Sequence, residues 1–377
     1  MKSESSLGTS ARIQELDGWR AVSVLLVILG HIITLRQVNL HSDILTRVVY
    51  LAGHLGVSVF FVISGFVICR LFILEEKRFG SVSLKGFYFR RIFRILPPLF
   101  TFLAVVALMM AAGLIRGSWA ALPAAAAFLS DLEHIPKNWF VEHTWSLAVE
   151  EQFYIVFPAM WILTPARWKG GAVVTTFLFF IASGLAIGFL PVRPATVLAA
   201  LWGFAAISVG VWAAIHEEWV RAAASRVPAI CVGLVALVLF LRPVHLGNQF
   251  EYTLFSAALL PPGIGLVLMY SLEKGRWLRA VLCSQPMQAI GITSYGIYLW
   301  QQIFTGPLRD FTPKGVAIGF MLPLMLIVIP LSYFFLEKPA MRYGKKLSRQ
   351  IREEATLRTG AEAGAAQKII QRSASKQ

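Results

Sequence analysis

The sequence predicts an all-α, polytopic membrane protein of about ten transmembrane helices plus one short re-entrant or interfacial segment. Three observations carry this. The chain is 57% hydrophobic and 15% charged, where soluble domains carry about 25% charged residues. Its mean hydropathy is +0.66, and its apolar runs recur at close to the length of about 20 residues that a bilayer crossing needs. Its basic residues cluster in short loops between those runs, as the positive-inside rule expects. The same clustering accounts for the net charge of +15 without a nucleic-acid partner.

The elements follow in order. A polar start that includes Glu4, Glu15 and Asp17 shows no small-residue cleavage site after the first apolar run, so the first helix is expected to be an uncleaved anchor. Candidate spans lie at 18–35, 48–73, 95–114, 119–132, 143–164, 171–190, 196–215, 228–241, 252–272, 287–307 and 315–336. If all of them crossed, the basic loops 216–226 and 273–280 would face outward. The Ala-rich 119–132 run, with Pro123, is short for a span and suits a re-entrant piece. With that run not crossing, ten spans remain, both termini are cytoplasmic, and 27 of the 35 basic residues lie on the cytoplasmic side. Residues 1–344 then form one membrane domain, and 345–377 a cytoplasmic tail without sustained periodicity, expected to be disordered. Cys69, Cys231 and Cys283 lack metal-ligand spacing and read as packing residues.

Within the first span, Arg20 and His31 are eleven residues apart. That is close to three helical turns, so both side chains share one stripe, about 16 Å apart along the axis. An ionisable group inside a span is a functional candidate by default; the bland reading is a buried histidine bonded to a neighbouring helix. Before the third span runs Tyr88-Phe89-Arg90-Arg91-Ile92-Phe93-Arg94. A positive-inside signal explains any single arginine there, but three interleaved with aromatics suit phosphate oxygens, which the guanidinium fork matches. In His143-Thr144-Trp145-Ser146-Leu147-Ala148-Val149-Glu150-Glu151-Gln152-Phe153-Tyr154, the residues Ser146, Glu150 and Tyr154 share a helical face. The adjacent carboxylates Glu150 and Glu151 need partners or water. Gly53, Gly56 and Gly65 in the second span favour close helix packing, and His54 beside them offers an outward polar contact. Ser294–Gln301 and Glu337-Lys338-Pro339 read as helix packing and a membrane-edge anchor, and His41, His216 and His245 as solvated loop residues.

Taken in order, the Arg20–His31 pair, GHLGVSVFFVISGF, YFRRIFRILPP, TWSLAVEEQFY, SYGIYLW and a closing EKP resemble the acyltransferase 3 family of bacterial membrane enzymes over nearly the whole chain. The resemblance implies O-acylation of a carbohydrate, polysaccharide or lipopolysaccharide among them, with cytoplasmic acyl-CoA, usually acetyl-CoA, as co-substrate and no metal. It implies His31 as the catalytic residue, Arg20 as its partner, Arg91 and Arg94 as coenzyme A ligands with Arg90 beside them, and Glu150 as a functional carboxylate. Trp145, Ser146, Glu151, Tyr154 and His54 are then candidates for the acceptor side. The expected setting is the bacterial inner membrane, with membrane lipids and a carbohydrate as partners and the oligomeric state open. Some members carry a fused extracytoplasmic domain; this chain is expected to act alone or hand over to a separate protein. Gln301 stands where a histidine is common in the family, and Ser58 where an aspartate is. The competing class is a transporter of a lipid-linked saccharide or small anion, which would use the same intramembrane groups but predicts an inverted repeat that the sequence does not display.

Overall fold

The computed structural model describes residues 13–35, 43–132, 134–188, 195–241, 255–274, 276–319 and 321–354. His41, His245 and the tail beyond 354 lie outside these. The described residues are helical, with one isolated bridge between Ile115 and Phe311. The principal helices are α1 (Gln14–Leu35), α2 (Asp43–Phe79), α3 (Leu84–Ala111), α4 (Ala121–Ala126), α5 (Trp139–Glu142), α6 (Thr144–Leu163), α7 (Lys169–Gly188) and α8 (Ala195–Ile215). They continue as α9 (Glu217–Arg226), α10 (Ala229–Leu241), α11 (Leu260–Glu273), α12 (Arg276–Leu282), α13 (Gln285–Ile292), α14 (Ser294–Thr305), α15 (Val316–Gly319) and α16 (Met325–Ser332). A π-turn at Tyr333–Glu337 leads into a last helical stretch, 338–354.

Among the described residues, five helices are long and apolar enough by themselves to cross a membrane, or six if the α9–α10 pair, bent by 104°, is one span. This measure stops short of the ten expected, and two of the candidate runs are broken. The 287–307 run divides at Thr293 into α13 and α14, and the 315–336 run is cut into short pieces before Met325, around Pro323, with Pro330 inside α16. A proline removes a backbone donor and crowds the preceding turn.

Helix packing rests on small residues. A Cβ on Gly56 of α2 would lie 2.5 Å from the Ser23 carbonyl of α1. One on Gly65 would strike the Ile207 carbonyl of α8, and one on Gly210 of α8 the Val62 carbonyl of α2. The α2–α8 contact is therefore backbone against backbone, as small residues permit where water supplies no driving force between helices. On α1, Ala21, Val24 and Val27 are buried, while Leu25 and Leu29 face outward.

Ion pairs gather the basic loops at one end of the bundle. Arg279 pairs with Glu15, Arg70 with Glu217, Lys169 with Glu76 and Arg221 with Glu273. Glu75 takes both Arg90 and Arg352. Residues 345–354 continue the last helix, and its Ser348 and Arg352 dock on Arg90 and Glu75. Glu337, expected as an edge anchor, is buried and accepts from Ser332 Oγ at 3.1 Å, which itself accepts from Trp300 Nε1.

The opposite end is built from 113–142 and 306–316. Arg116 N donates to Asp310 O at 2.7 Å and Thr312 N to Leu114 O at 2.9 Å. The 119–132 run is no span: α4 has six residues, and the chain turns at Phe128, whose φ is +57°. Gln152 of α6 holds that turn, donating to Phe128 O at 3.1 Å and to the Asp131 carboxylate at 3.0 Å.

Candidate active site

Two cavities lie along the inner face of α2. The first, about 80 Å³, is lined by Arg20 of α1, Ser64 of α2, Arg91 and Arg94 of α3, Ser146, Glu150 and Tyr154 of α6, and Tyr295 and Tyr298 of α14. Arg91 and Arg94 face it together because they are three apart on one helix. Arg91 lies over the Tyr154 ring, 4.4 Å from its centroid. Arg94 is within electrostatic reach of Arg20, Arg91, Glu150 and Tyr154. Arg20 is steadied by Asp17 at 2.9 Å, and Tyr295 pins α14 to α3 by donating to Ile95 O at 3.0 Å. Glu150 accepts from the hydroxyls of both Ser64 and Tyr154. Among the lining groups, three guanidinium groups face one carboxylate. That surface suits an anion with several oxygens, and it sits close to the basic end: Arg20 is five residues, about 7.5 Å of helix, from Glu15 and its partner Arg279.

The second cavity, about 340 Å³, is lined by His31, His54, Trp139, His143, Trp145, Tyr298 and Gln302, and reaches the 113–142 layer at Lys137, Asn138 and Glu142. His31 Nδ1 lies 3.0 Å from Gln301 Oε1. A carbonyl oxygen there calls for a proton on Nδ1 and leaves Nε2 as the nitrogen with a free lone pair. Gln301 Oε1 also receives Thr305 Oγ1 at 3.1 Å, and Trp139 meets the imidazole edge-on at 5.5 Å between ring centroids. The neighbouring Gln302 accepts from the His143 backbone N–H at 3.1 Å, which ties the start of α6 to α14.

The structure sorts the sequence-derived candidates. Arg20, Arg91 and Arg94 come together. His31, His54 and Trp145 share the other cavity. Glu150, expected beside His31 on the acceptor side, lines the arginine cavity instead, and Ser146 and Tyr154 go with it. The reason is the helical rotation that the sequence could not fix: with Tyr154 turned toward Arg91, its partner four residues earlier must follow. Arg90 faces away from both cavities and is occupied by Glu75 and Ser348. Glu151 lines neither, and its Oε1 is buried without a hydrogen-bond partner among the described residues. Sequence reasoning gave no site role to Gln301, Gln302, Tyr298, Trp139 or Ser64, and Gln301 entered only as a departure from the family pattern. A further signal was the pair of adjacent glutamines, Gln301 and Gln302, in an otherwise mostly apolar helix.

The fold is thus a helical membrane bundle with an arginine cluster at one cavity and the half-buried His31 imidazole at the adjoining one. Residues 13–337 match the acyltransferase-domain family Acyl_transf_3, and the chain belongs to that family. Among its relatives is a "Putative O-acetyltransferase" of Staphylococcus aureus (strain COL), 27% identical over 89% of this chain and 58% of the relative. A "Putative membrane-bound transacylase BcsY" of Komagataeibacter xylinus is 26% identical over 88% of this chain and 84% of its own length. The "Peptidoglycan O-acetyltransferase OatA" of Listeria monocytogenes is 23% identical over 88% of this chain and 56% of its own length. The chain thus spans a little over half the length of the staphylococcal and listerial relatives. No solved structure matches it.

Proposed function

We propose that this protein is a membrane O-acyltransferase that moves an acyl group, acetyl first, from cytoplasmic acyl-CoA to a hydroxyl of a cell-envelope or exported carbohydrate, with His31 as general base. The observation that carries the reading is the pairing of two adjoining cavities, one lined by three arginines and one by His31 with its Nδ1 on Gln301. The name of one relative, the peptidoglycan O-acetyltransferase OatA, favours a polysaccharide acceptor. The basic end of the bundle is assigned to the cytoplasm by the positive-inside rule, which puts both termini there and makes a bacterial inner membrane the setting.

The chemistry follows from the residues. Arg91 and Arg94, with Arg20, hold phosphate oxygens at the mouth on the basic side, since phosphates do not enter lipid. The uncharged pantetheine arm carries the thioester toward His31. The acceptor oxygen attacks the thioester carbonyl carbon while Nε2 of His31 takes the hydroxyl proton. The carbon–sulfur bond then breaks, and the imidazolium returns that proton to the leaving thiolate. Glu150 acts as a positioning residue, holding Ser64 and Tyr154 and, through Tyr154, Arg91. Two aromatic side chains at the second cavity, Trp139 and Trp145, give a sugar ring an apolar face to lie on.

The test uses the purified full chain in detergent with radiolabelled acetyl-CoA and cello- or chito-oligosaccharides as probe acceptors. Release of coenzyme A with label in the sugar is expected. A transporter would turn over no acyl-CoA in the absence of a gradient, and that result rejects the reading.

A further inference from the structure

The two cavities have two lining residues in common, Val57 of α2 and Tyr298 of α14. Resting on the acyl-CoA reading above, we propose that Val57 and Tyr298 form the constriction through which the donor's thioester arm threads, and that its width selects the acyl group. Straight acyl chains pass, and branched or aromatic ones are excluded.

Both walls are stiff. Val57 is β-branched on a helix, which leaves it essentially one χ1 rotamer. Its helix is held close against α1 at the neighbouring residue, where a Cβ on Gly56 would lie 2.5 Å from Ser23 O. Tyr298 is held at its far end, where its hydroxyl donates to His143 O at 3.0 Å and lies 2.6 Å from Ser146 Oγ. Its ring is wedged edge-on between Phe60 on the arginine side and His143 on the His31 side, at 6.1 and 5.3 Å between centroids. The arginines and His31 lie on opposite sides of this pair. On that reading, a donor bound by its phosphates reaches the base by passing between the two side chains, the lining that the two cavities share among the described residues. The β-alanyl-cysteamine end of pantetheine next to the thioester is unbranched, as an acetyl or butyryl chain is, and the wider pantoyl part with its geminal dimethyl group stays on the arginine side, so length is not what the passage reads. An isobutyryl or benzoyl group is wider, and the stiff walls do not yield to it.

The experiment is internal competition between acetyl-CoA and isobutyryl-CoA, each with its own label, on the purified full chain. It is run on wild type, Val57→Ala and Tyr298→Phe. Wild type is expected to favour acetyl. Val57→Ala, which removes two methyl groups from the wall, should raise the isobutyryl-to-acetyl ratio of kcat/KM about tenfold, the scale that one or two methylenes give in an apolar pocket. Tyr298→Phe keeps the ring and frees its end, and should move the ratio the same way by a smaller factor. Butyryl-CoA is the control, and its ratio to acetyl should change much less. Ratios unmoved within twofold in both variants, or equal shifts for butyryl and isobutyryl, overturn the constriction and leave the acyl-CoA reading standing. Loss of both donors in both variants counts against it too. Absence of turnover by wild type with every acyl-CoA rejects the acyl-CoA reading and this inference together.

Discussion

Replacing Gln301 tests how His31 is prepared for proton transfer. Gln301 is fully buried, and its Oε1 is 3.0 Å from His31 Nδ1. Gln301→Leu keeps the volume close and removes the acceptor. Thr305 Oγ1 still has the Gln301 backbone carbonyl at 3.0 Å, so that neighbour loses little. The Nδ1–H does lose its partner, and an unsatisfied buried donor costs about 1–3 kcal/mol. The ring escapes that cost by moving its proton to Nε2, the nitrogen required as base. The population of the competent tautomer, and with it the transfer rate, should fall by about 5- to 150-fold, the same free energy expressed as a ratio. Gln301→His offers a ring nitrogen as acceptor at similar volume and should keep the rate within a few-fold of wild type. The assay is label transfer from acetyl-CoA in inside-out membrane vesicles, with each variant's amount and monodispersity checked by size-exclusion chromatography. A Gln301→Leu rate within twofold of wild type would refute the reasoning, and so would a Gln301→His rate as low as that of the leucine variant.

Further outcomes follow from the same geometry. Arg91→Ala with Arg94→Ala should raise the KM for acetyl-CoA at least tenfold and leave the acceptor KM nearly unchanged; equal effects on both would reduce the arginines to a topology signal. Arg90→Ala should leave the acetyl-CoA KM in place but lower the melting temperature in detergent, because it strands Glu75 between fewer partners; a KM effect without a stability effect would restore Arg90 to the donor site. Gly210→Leu should abolish the folded bundle, since even a Cβ there meets the Val62 carbonyl of α2; normal yield and elution of that variant would contradict the α2–α8 packing.

What the sequence made legible was whatever depends on periodicity within one helix. The Arg91–Arg94 face, the packing role of Gly56 and Gly65 and the shortness of the helix in 119–132 are all local properties, and each has its counterpart in the structure, whereas Arg20 and His31 line separate cavities. What stayed hidden depends on how one helix is rotated against another. Glu150 belongs with the arginines because Tyr154 packs under Arg91. Arg90 is withdrawn from the site because Glu75 and Ser348 converge on it from distant parts of the chain. Gln301 was noticed only as a departure from a family pattern, yet it supplies the bond that orients His31. The helix through 345–354 was hidden by its polar composition; its order comes from tertiary partners such as Glu75 rather than from an apolar stripe.

The central claim, that His31 takes the acceptor's proton, is tested most directly by His31→Ala in inside-out vesicles supplied with labelled acetyl-CoA, beside wild type at matched protein level. Loss of a general base costs about 10²–10⁴-fold, so transfer should fall by at least about 100-fold while the acetyl-CoA affinity, which the proposal assigns to the arginine cavity, is retained. A variant that keeps more than about a tenth of the wild-type rate would contradict the account.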